Sequence, residues 1–446
     1  MRNIEDHVQA LEAGTATARQ IVETCLARIA DPAGEGQRVF IKVHAEPARA
    51  MAEAMDRLRR AGRAPSRYAG IPFSVKDLFD IAGEPTPAGS RVLADAPPSL
   101  AHAPVVRRML AQGFIPMGRT NMTEFAFSGL GVNPHHATPL SPWDRATGRI
   151  PGGSSSGAGV SVADGMALAA LGTDTGGSCR IPAAFCGVVG YKPTARRVPT
   201  EGVLPLAPSL DSVGPLAPSV ACAAAVDAIL AGGSPATLTP FPLAGLRLAL
   251  PEAFALDGMD AAVAAAFDRA LAALRAAGAA IHGARFPEFD EFRTLNAAGG
   301  FTAAEAYGWH RRLLAEHGAL YDPRIRQRIA RGEHQSAADY LDLLAARRRL
   351  IASFNARTAG YDALILPTVP VVPPKLRDLT EEADYNRINQ LVLRNSAVGN
   401  FLDRCAISLP IHRHGEAPVG LMLMGETMGD ARLFAIALAV ETAIGR

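Results

Sequence analysis

The sequence predicts an α/β fold, with a mixed or largely parallel sheet in one large domain. Predicted strands and helices alternate along all 446 residues, which is typical of α/β architectures. Hydrophobic residues make up 48% of the chain and charged residues 20%, a balance that suits a large packed core. The best linker candidate, residues 232–245, is short, so we expect it to connect parts of the same domain.

The elements follow from periodicity and from the residues that end each pattern. A helical repeat of Val263, Phe267, Leu271 and Leu274, ended by Gly278, predicts a helix over 258–278. We also predict helices over 4–30, 45–62, 105–113 and 429–444, and a helix start at 121–127. Strands are predicted within 68–83, 114–121 and 361–372. A helix should run into a strand over 163–175, and two strands joined by a turn should lie within 406–425. The prolines of 361–372 should end that strand or move it to a sheet edge.

Charge and cysteine content exclude several classes of function. The net charge of +2 creates no overall field that favours nucleic acid or an anionic membrane. The amino-terminal MRNIEDHVQALEAG has an amphipathic pattern without a signal peptide's apolar core, and no run of 18 apolar residues predicts a membrane span. The five cysteines show no CxxC spacing, so we expect reduced thiols and a cytoplasmic location.

Two stretches rich in glycine and serine are the main candidates for chemistry: PGGSSSGAG (151–159) and ALGTDTGGSCRIPAAFCG (170–187). Neither has the lysine of a phosphate-binding P-loop or a GxGxxG pattern. GSSSG matches the nucleophile elbow GxSxG at Ser155, but the later histidines His310 and His412 stand in no supporting context. The pairs His135–His136 and His412/His414 lack a carboxylate motif such as HExxH, so we expect no metal site.

A lysine within an apolar run offers a different chemistry. Lys76 lies in IPFSVKDLF, where it reaches solvent, pairs with Asp77 or is buried. Burial would lower its pKa, and a neutral lysine can accept the proton of a serine nucleophile. Ser154 and Ser178 are the serines that the two glycine-rich stretches present, and glycines before Ser178 leave backbone N–H groups open to an oxyanion.

Together, GIPFSVKDLFD (70–80), PGGSSSGAG and ALGTDTGGSCRIPAAFCGVVGYKPT (170–194) resemble the amidase signature family. The resemblance covers most of the chain and is densest from Ala69 to Pro218. It implies a single domain, 1–446, with a mixed central β-sheet flanked by helices. Within it, 1–63 would form amino-terminal helices, 64–220 the signature core, and 245–446 substrate-shaping helices with the rest of the sheet.

The resemblance also implies a Ser–Ser–Lys triad. By motif, Ser178 is the nucleophile, Ser154 is the bridging serine with a cis peptide bond on its amino-terminal side, and Lys76 is the base. Ser154 precedes Ser178 by 24 residues, which matches the family's spacing. Cys179 adjoins the nucleophile at a position that the family pattern gives to variable residues, so no catalytic role is expected for it.

Further roles carry over from the same motifs. The N–H groups of Thr175, Gly176 and Gly177, with that of Ser178, would hold the oxyanion, and the backbone carbonyl of Ala126 would face the substrate amide. Asp174 and Arg180 would brace the catalytic loop through structural hydrogen bonds. The chemistry needs neither a metal nor an organic cofactor.

The implied function is hydrolysis of a small carboxamide to a carboxylate and ammonia. The alternative is the A subunit of an amidotransferase that amidates misacylated tRNA with a partner protein, and a third class is a non-catalytic scaffold.

Ser141 stands where the family often has asparagine, which affects loop bracing only. Residues 285–350 are the least family-like; their aromatic residues fit a core better than an acyl pocket. Relatives are often homodimers, so the resemblance allows a homodimer.

Overall fold

The computed structural model describes residues 3–445, which form a single domain around an eleven-stranded mixed sheet. The strands are β1 (Phe40–Val43), β2 (Pro72–Lys76), β3 (Ile115–Thr120), β4 (Ala169–Thr173), β5 (Val189–Lys192), β6 (Val213–Ala217), β7 (Arg247–Pro251), β8 (Ala280–Ala284), β9 (Ala363–Pro367), β10 (Ala406–Pro410) and β11 (Gly420–Met424). The helices are α1 (Ile4–Glu12), α2 (Ala18–Ala30), α3 (Gly36–Val39), α4 (Ala45–Arg60), α5 (Pro104–Ala111), α6 (Ser156–Ala163), α7 (Arg180–Cys186), α8 (Val220–Leu230), α9 (Ala261–Ala276), α10 (Pro287–Leu295), α11 (Gly300–His317), α12 (Pro323–Ala330), α13 (Ala337–Thr358), α14 (Glu382–Phe401) and α15 (Asp430–Ala443). The predicted α/β class and mixed sheet are confirmed.

The order of the strands is β1-β3-β2-β4-β6-β5-β10-β11-β9-β7-β8. β2 pairs in parallel with β3 on one side and with β4 on the other. Because parallel strands end at the same sheet edge, the residues that follow β2 and β4 meet there. The sheet therefore places the end of IPFSVK beside the start of TDTGGS.

The amino-terminal helix prediction differs from the structure, which has two helices where the periodicity indicated one over 4–30. Gly14 turns the chain with φ of 71°. Thr17 then caps α2, accepting from the Gln20 N–H at 3.1 Å while the Gln20 side chain bonds back to the Thr17 N–H at 2.9 Å. This capping box is readable as T-x-x-Q, and it explains the break.

One other prediction needs correction, and one about the strand within 361–372 is met. Residues 121–127 contain only a short 3₁₀ turn, Glu124–Ala126, in which Phe125 and Ala126 adopt positive φ angles of 49° and 60°, incompatible with a continuing helix. The strand β9 ends at Pro367, which is the first of the two predicted effects of its prolines, and it lies inside the sheet between β11 and β7. Pro367 occupies its last position, where a missing N–H disturbs the sheet least.

Residues 285–350 form four helices, α10 to α13, and their aromatic side chains divide between core and cavity. Phe286, Phe289, Phe292 and Phe301 are buried, whereas Trp309 is 40% exposed. Phe292 also borders the cavity described below. The core interpretation therefore holds for most of these aromatic residues.

Of the helices within residues 3–445, none combines the length and the apolar character that crossing a membrane requires.

Candidate active site

Lys76 is buried at the end of β2, and its ammonium group contacts two hydroxyl groups. Its Nζ lies 2.8 Å from Ser154 Oγ and 2.8 Å from Thr173 Oγ1. Its side chain is 0% exposed, and the loss of solvation lowers its pKa to about 7. Asp77 points elsewhere and pairs with Arg119 at 2.7 Å. The alternative of a solvent-reaching lysine paired with Asp77 is therefore excluded.

The segment that carries Ser154 is held against the turn before it. The Gly153–Ser154 peptide bond is cis, as the family resemblance implies. The carbonyl of Ser154 accepts the Thr123 N–H at 3.0 Å, and the Gly153 N–H donates to the Gly129 carbonyl at 2.8 Å. A Cβ at Gly153 would lie 2.5 Å from the backbone nitrogen of Gly131, so glycine is required by close approach.

The loop that carries Ser178 is wound around one carboxylate. Asp174 accepts the Gly177 N–H at 2.8 Å and the Cys179 N–H at 3.1 Å. Gly177 has φ of +133°, and a Cβ there would lie 2.1 Å from Ser396 Oγ. Gly176 has ordinary room for a Cβ, with its nearest neighbour at 3.6 Å. Of these two positions, Gly177 is therefore the one that requires glycine for steric reasons.

Arg180 holds that carboxylate from the other side. Its Nε and Nη2 donate to the two oxygens of Asp174 at 2.9 and 2.8 Å, and both side chains are fully buried. Arg180 also donates to Ser396 and Asn400, at 2.9 and 2.6 Å. Burial alone would raise the pKa of Asp174, but the Arg180 charge and its hydrogen bonds hold it well below its usual range. This geometry agrees with a bracing role for the pair.

The backbone N–H groups of the loop are not equivalent. The Gly177 N–H is engaged by Asp174, whereas those of Thr175, Gly176 and Ser178 have no acceptor within residues 3–445. The Ser155 N–H donates to the Ser178 carbonyl at 3.3 Å, which joins the two glycine-rich segments. Three N–H groups therefore remain available to a ligand beside Ser178.

Ser178 borders a cavity of about 710 Å³. Thr175, Gly176 and Ala126 border the same cavity, so the structure brings these predicted site residues together at one surface. Lys76 and Ser154 are not among the residues that border it, and both are fully buried. Cys179 is buried too: loss of solvation raises the pKa of its thiol, and its Sγ faces the Gly214 carbonyl at 3.6 Å. These features leave Cys179 poorly suited to act as a nucleophile.

Thr173 is the site residue that sequence reasoning missed. It ends β4 and accepts from Lys76, an arrangement that follows from the parallel register of Val75 with Leu171. The sequence feature that could have identified Thr173 is its position at the end of an apolar strand, directly before the glycine-rich loop. Ser141, the departure from the family pattern, donates to the Phe185 carbonyl at 2.8 Å and so braces the start of its loop.

Two of the histidines considered above have other partners: His135, from a pair considered as metal ligands, and His310, considered as the histidine of a GxSxG triad. His135 lies 2.8 Å from Glu124, and His310 lies 3.0 Å from the Tyr321 hydroxyl. Within residues 3–445 there is no group of three or more His, Cys, Asp or Glu side chains arranged to hold a metal ion.

Comparisons with known proteins agree with this architecture. The family described as Amidase matches residues 20–434. The 2-amino-5-chloromuconic acid deaminase of Comamonas testosteroni is 37% identical, covering 100% of this chain and 96% of that protein. The A subunit of the glutamyl-tRNA(Gln) amidotransferase of Chloroflexus aggregans is 34% identical, covering 97% of this chain and 94% of that protein. A crystal structure of an amidase, 32% identical, covers both chains fully with a TM-score of 0.89. The chain therefore belongs to the amidase signature family of amide C–N hydrolases.

Proposed function

We propose that the protein hydrolyses a small carboxamide to a carboxylate and ammonia through an acyl-enzyme on Ser178. Neutral Lys76 accepts the Ser154 hydroxyl proton as Ser154 takes the proton of Ser178. Ser178 Oγ then bonds to the amide carbonyl carbon, and the carbonyl π electrons move to oxygen. The observation that carries this proposal is the pair of 2.8 Å contacts from a fully buried Lys76 to Ser154 and Thr173.

The oxyanion of this intermediate would be held by the free N–H groups of Thr175, Gly176 and Ser178. We leave the Gly177 N–H out because Asp174 already occupies it. Removing one donor from such a site typically lowers the rate about 10²–10³-fold. The carbonyl of Ala126, on a residue held at φ of 60°, is the proposed acceptor for the substrate's amide N–H.

Breakdown of the intermediate uses the same groups in reverse. Ser154 donates its proton to the leaving nitrogen and regains one from Lys76, the C–N bond breaks, and ammonia departs. Water then attacks the Ser178 ester, with its proton returning through Ser154 to Lys76 and on to Ser178. The acid product leaves, and the starting protonation state is restored.

The test is ammonia release by the purified chain from aliphatic, aryl, malonamide-like and ureido amides and from free glutamine. Ser178→Ala should abolish release from every amide that the wild type hydrolyses. Ser155→Ala is the matched control, because only the GxSxG interpretation makes Ser155 the nucleophile. Loss of activity in Ser155→Ala with retention in Ser178→Ala would overturn the assignment.

The second candidate is the A subunit of a tRNA-dependent amidotransferase, favoured by the relative from Chloroflexus aggregans at 34% identity. Under this alternative, ammonia release from glutamine would dominate the panel and would depend on a partner protein. Release from a simple carboxamide by the chain alone, at a rate above that from glutamine, favours the amidase.

A further inference from the structure

The peptide unit that joins Asp174 to Thr175 has its carbonyl group held by three donors. The Asp174 carbonyl accepts the Ser212 N–H at 3.2 Å, the Ser212 hydroxyl at 2.8 Å and the side-chain amide of Asn400 at 2.8 Å. Ser212 and Asn400 are both buried. In a planar trans peptide the N–H points opposite to the carbonyl, so these contacts also fix the direction of the Thr175 N–H.

The N–H of this peptide unit is open to a ligand. It has no acceptor within residues 3–445, although Thr175 is only 3% exposed. Thr175 borders the cavity beside Ser178, so a ligand in that cavity can supply the missing oxygen. A shielded donor without an acceptor costs free energy, which such an oxygen recovers.

The side chain of Thr175 is held by a separate contact. Its hydroxyl donates to Asp211 Oδ1 at 2.5 Å. The other carboxylate oxygen of Asp211 accepts the Leu206 N–H at 3.0 Å and the Ala207 N–H at 3.1 Å. Three donors thus converge on this carboxylate and fix its orientation relative to Thr175.

The register of two strands places Asp211 and Ser212 at this peptide. β4 and β6 pair antiparallel, and the pairing continues past the end of β4 into the stretch SLDSVGPLA (209–217). The Asp174 N–H donates to the Ser212 carbonyl at 2.8 Å, and the Ser212 N–H donates back to the Asp174 carbonyl. One residue further along, Thr175 and Asp211 lie opposite each other, where cross-strand side chains are close enough to bond.

The turn that carries Asp211 is held in turn by two helices of the segment 285–350. The Ser209 N–H donates to Glu305 of α11 at 2.9 Å, and the Ser209 carbonyl accepts from Arg347 of α13 at 3.0 Å. The segment that resembles the family least therefore helps to fix the Asp211 carboxylate.

We propose that Asp211 and Ser212 are positioning residues that direct the Thr175 N–H at the oxyanion formed when Ser178 attacks, an assignment that rests on the proposed function of Ser178. Ser212 fixes the peptide plane through the Asp174 carbonyl, and Asp211 fixes the side chain of Thr175. Neither residue borders the cavity. Because the oxyanion forms only as the reaction proceeds, losing either contact should lower kcat and leave KM nearly unchanged.

The first test compares kcat and KM of Thr175→Val, Ser212→Ala and Asp211→Ala on the amide that wild type hydrolyses fastest. Rates are measured at about pH 8.5, where Lys76 is mostly neutral, because the charge of Asp211 raises the pKa of Lys76 and its loss would otherwise affect the rate. We expect kcat to fall about 10- to 100-fold, less than for removal of a donor outright, and KM to stay within about threefold. Wild-type kcat in Thr175→Val and Ser212→Ala would overturn the proposal.

Two conservative variants separate positioning from packing and charge. Thr175→Ser keeps the hydroxyl that Thr175→Val removes. Asp211→Asn removes the charge but can still accept from Leu206 and Ala207 through its oxygen and donate to the Thr175 hydroxyl through its nitrogen. Both should keep kcat within about threefold of wild type. If either is as slow as the corresponding Thr175→Val or Asp211→Ala, the effect comes from the methyl group or the charge, and the positioning role is wrong.

A double variant tests whether Asp211 acts through Thr175. Since the two side chains share one hydrogen bond, Thr175→Val/Asp211→Ala should be no slower than the slower single variant. Losses that multiply would assign the two residues independent roles and contradict the proposal. The matched control is Thr147→Val, which breaks a 2.7 Å threonine–aspartate bond with Asp144 away from the cavity. It should keep wild-type kcat, and an equal loss there would refute the argument from the oxyanion.

Urea unfolding of each variant and the rate of Ser178→Ala complete the experiment. A fall in kcat in a variant as stable as wild type cannot come from unfolding. An inactive Ser178→Ala beside fully active Thr175→Val, Ser212→Ala and Asp211→Ala would keep the proposed function and refute the positioning role. Turnover by Ser178→Ala, or no release from any amide by wild type, would remove the oxyanion at Ser178 and with it both proposals.

Discussion

The lowered pKa of Lys76 predicts how activity depends on pH. With a pKa of about 7, roughly 10% of Lys76 is neutral at pH 6 and roughly 90% at pH 8. If the neutral amine accepts the first proton, kcat/KM should rise about tenfold per pH unit below pH 7 and level off above pH 8. An ordinary lysine would place the same rise near its usual value of 10.5.

The lowered pKa of Lys76 also predicts how the stability of the fold depends on pH, which can be measured without a substrate. Between about pH 7 and 10.5, the unfolded chain binds a proton at Lys76 that the folded chain does not. Stability therefore rises with pH through this window, by about 1.4 kcal/mol per unit. From pH 8 to 9.5, the free energy of unfolding of wild type should rise by about 2 kcal/mol relative to that of Lys76→Met. Methionine fills the same space without a titrating group.

Both quantities are measurable with the purified chain. Initial rates of ammonia release at subsaturating amide give kcat/KM from pH 5.5 to 9.5, and urea unfolding of wild type and Lys76→Met gives the stability difference. Other titrating groups, such as the buried Lys192, are present in both proteins and cancel in that difference. A flat rate profile, or a stability difference independent of pH, would refute the reasoning about Lys76.

Three further predictions follow from the contacts of the loop. Thr173→Val should lower kcat about tenfold, because Lys76 loses one of its two hydroxyl contacts, and Thr173→Ser should restore it. Asp174→Asn should destabilise the fold by about 3–5 kcal/mol in urea unfolding, because it leaves the buried charge of Arg180 uncompensated. Cys179→Ala should keep kcat within a few-fold of wild type, since its thiol is buried and its pKa is raised.

Each of these has a result that would contradict it. Full activity in Thr173→Val would show that Ser154 alone positions the amine. For Asp174, the comparison is Asp290→Asn, which breaks an exposed pair and should change stability by less than about 0.5 kcal/mol; equal effects of the two substitutions would refute the argument from burial. Loss of turnover in a folded Cys179→Ala protein would make that thiol a candidate nucleophile again.

The sequence predicted the parts of the fold and site that depend on local pattern. The apolar run around Lys76 identified β2, and the glycine-rich motifs identified the segments of Ser154 and Ser178. The short edge strand β1 was missed because Phe40–Val43 has too few residues for a periodicity to emerge. The contact of Lys76 with Thr173 depends on the register of two strands that lie almost 100 residues apart along the chain.

Arg328 and Asn389 illustrate what local pattern leaves undetermined. Each lies on a helix amid other polar residues, and arginine is frequent throughout this chain. Both residues border the cavity, and each has one side-chain nitrogen without a partner among the described residues, Nε of Arg328 and Nδ2 of Asn389. That property depends on how α12 and α14 pack over the Phe127–Gly129 segment. A property defined by missing contacts is visible only in three dimensions.

The central claim is the acyl-enzyme on Ser178, and trapping it is the most direct test. The chain is mixed with an amide that it hydrolyses, quenched in acid within one turnover, digested and mapped by mass spectrometry. The account predicts the acyl mass on the peptide containing residues 174–180, located at Ser178 by fragmentation and absent from Ser178→Ala. An acyl group on Cys179 or Ser155, or turnover by Ser178→Ala at the wild-type rate, would contradict it.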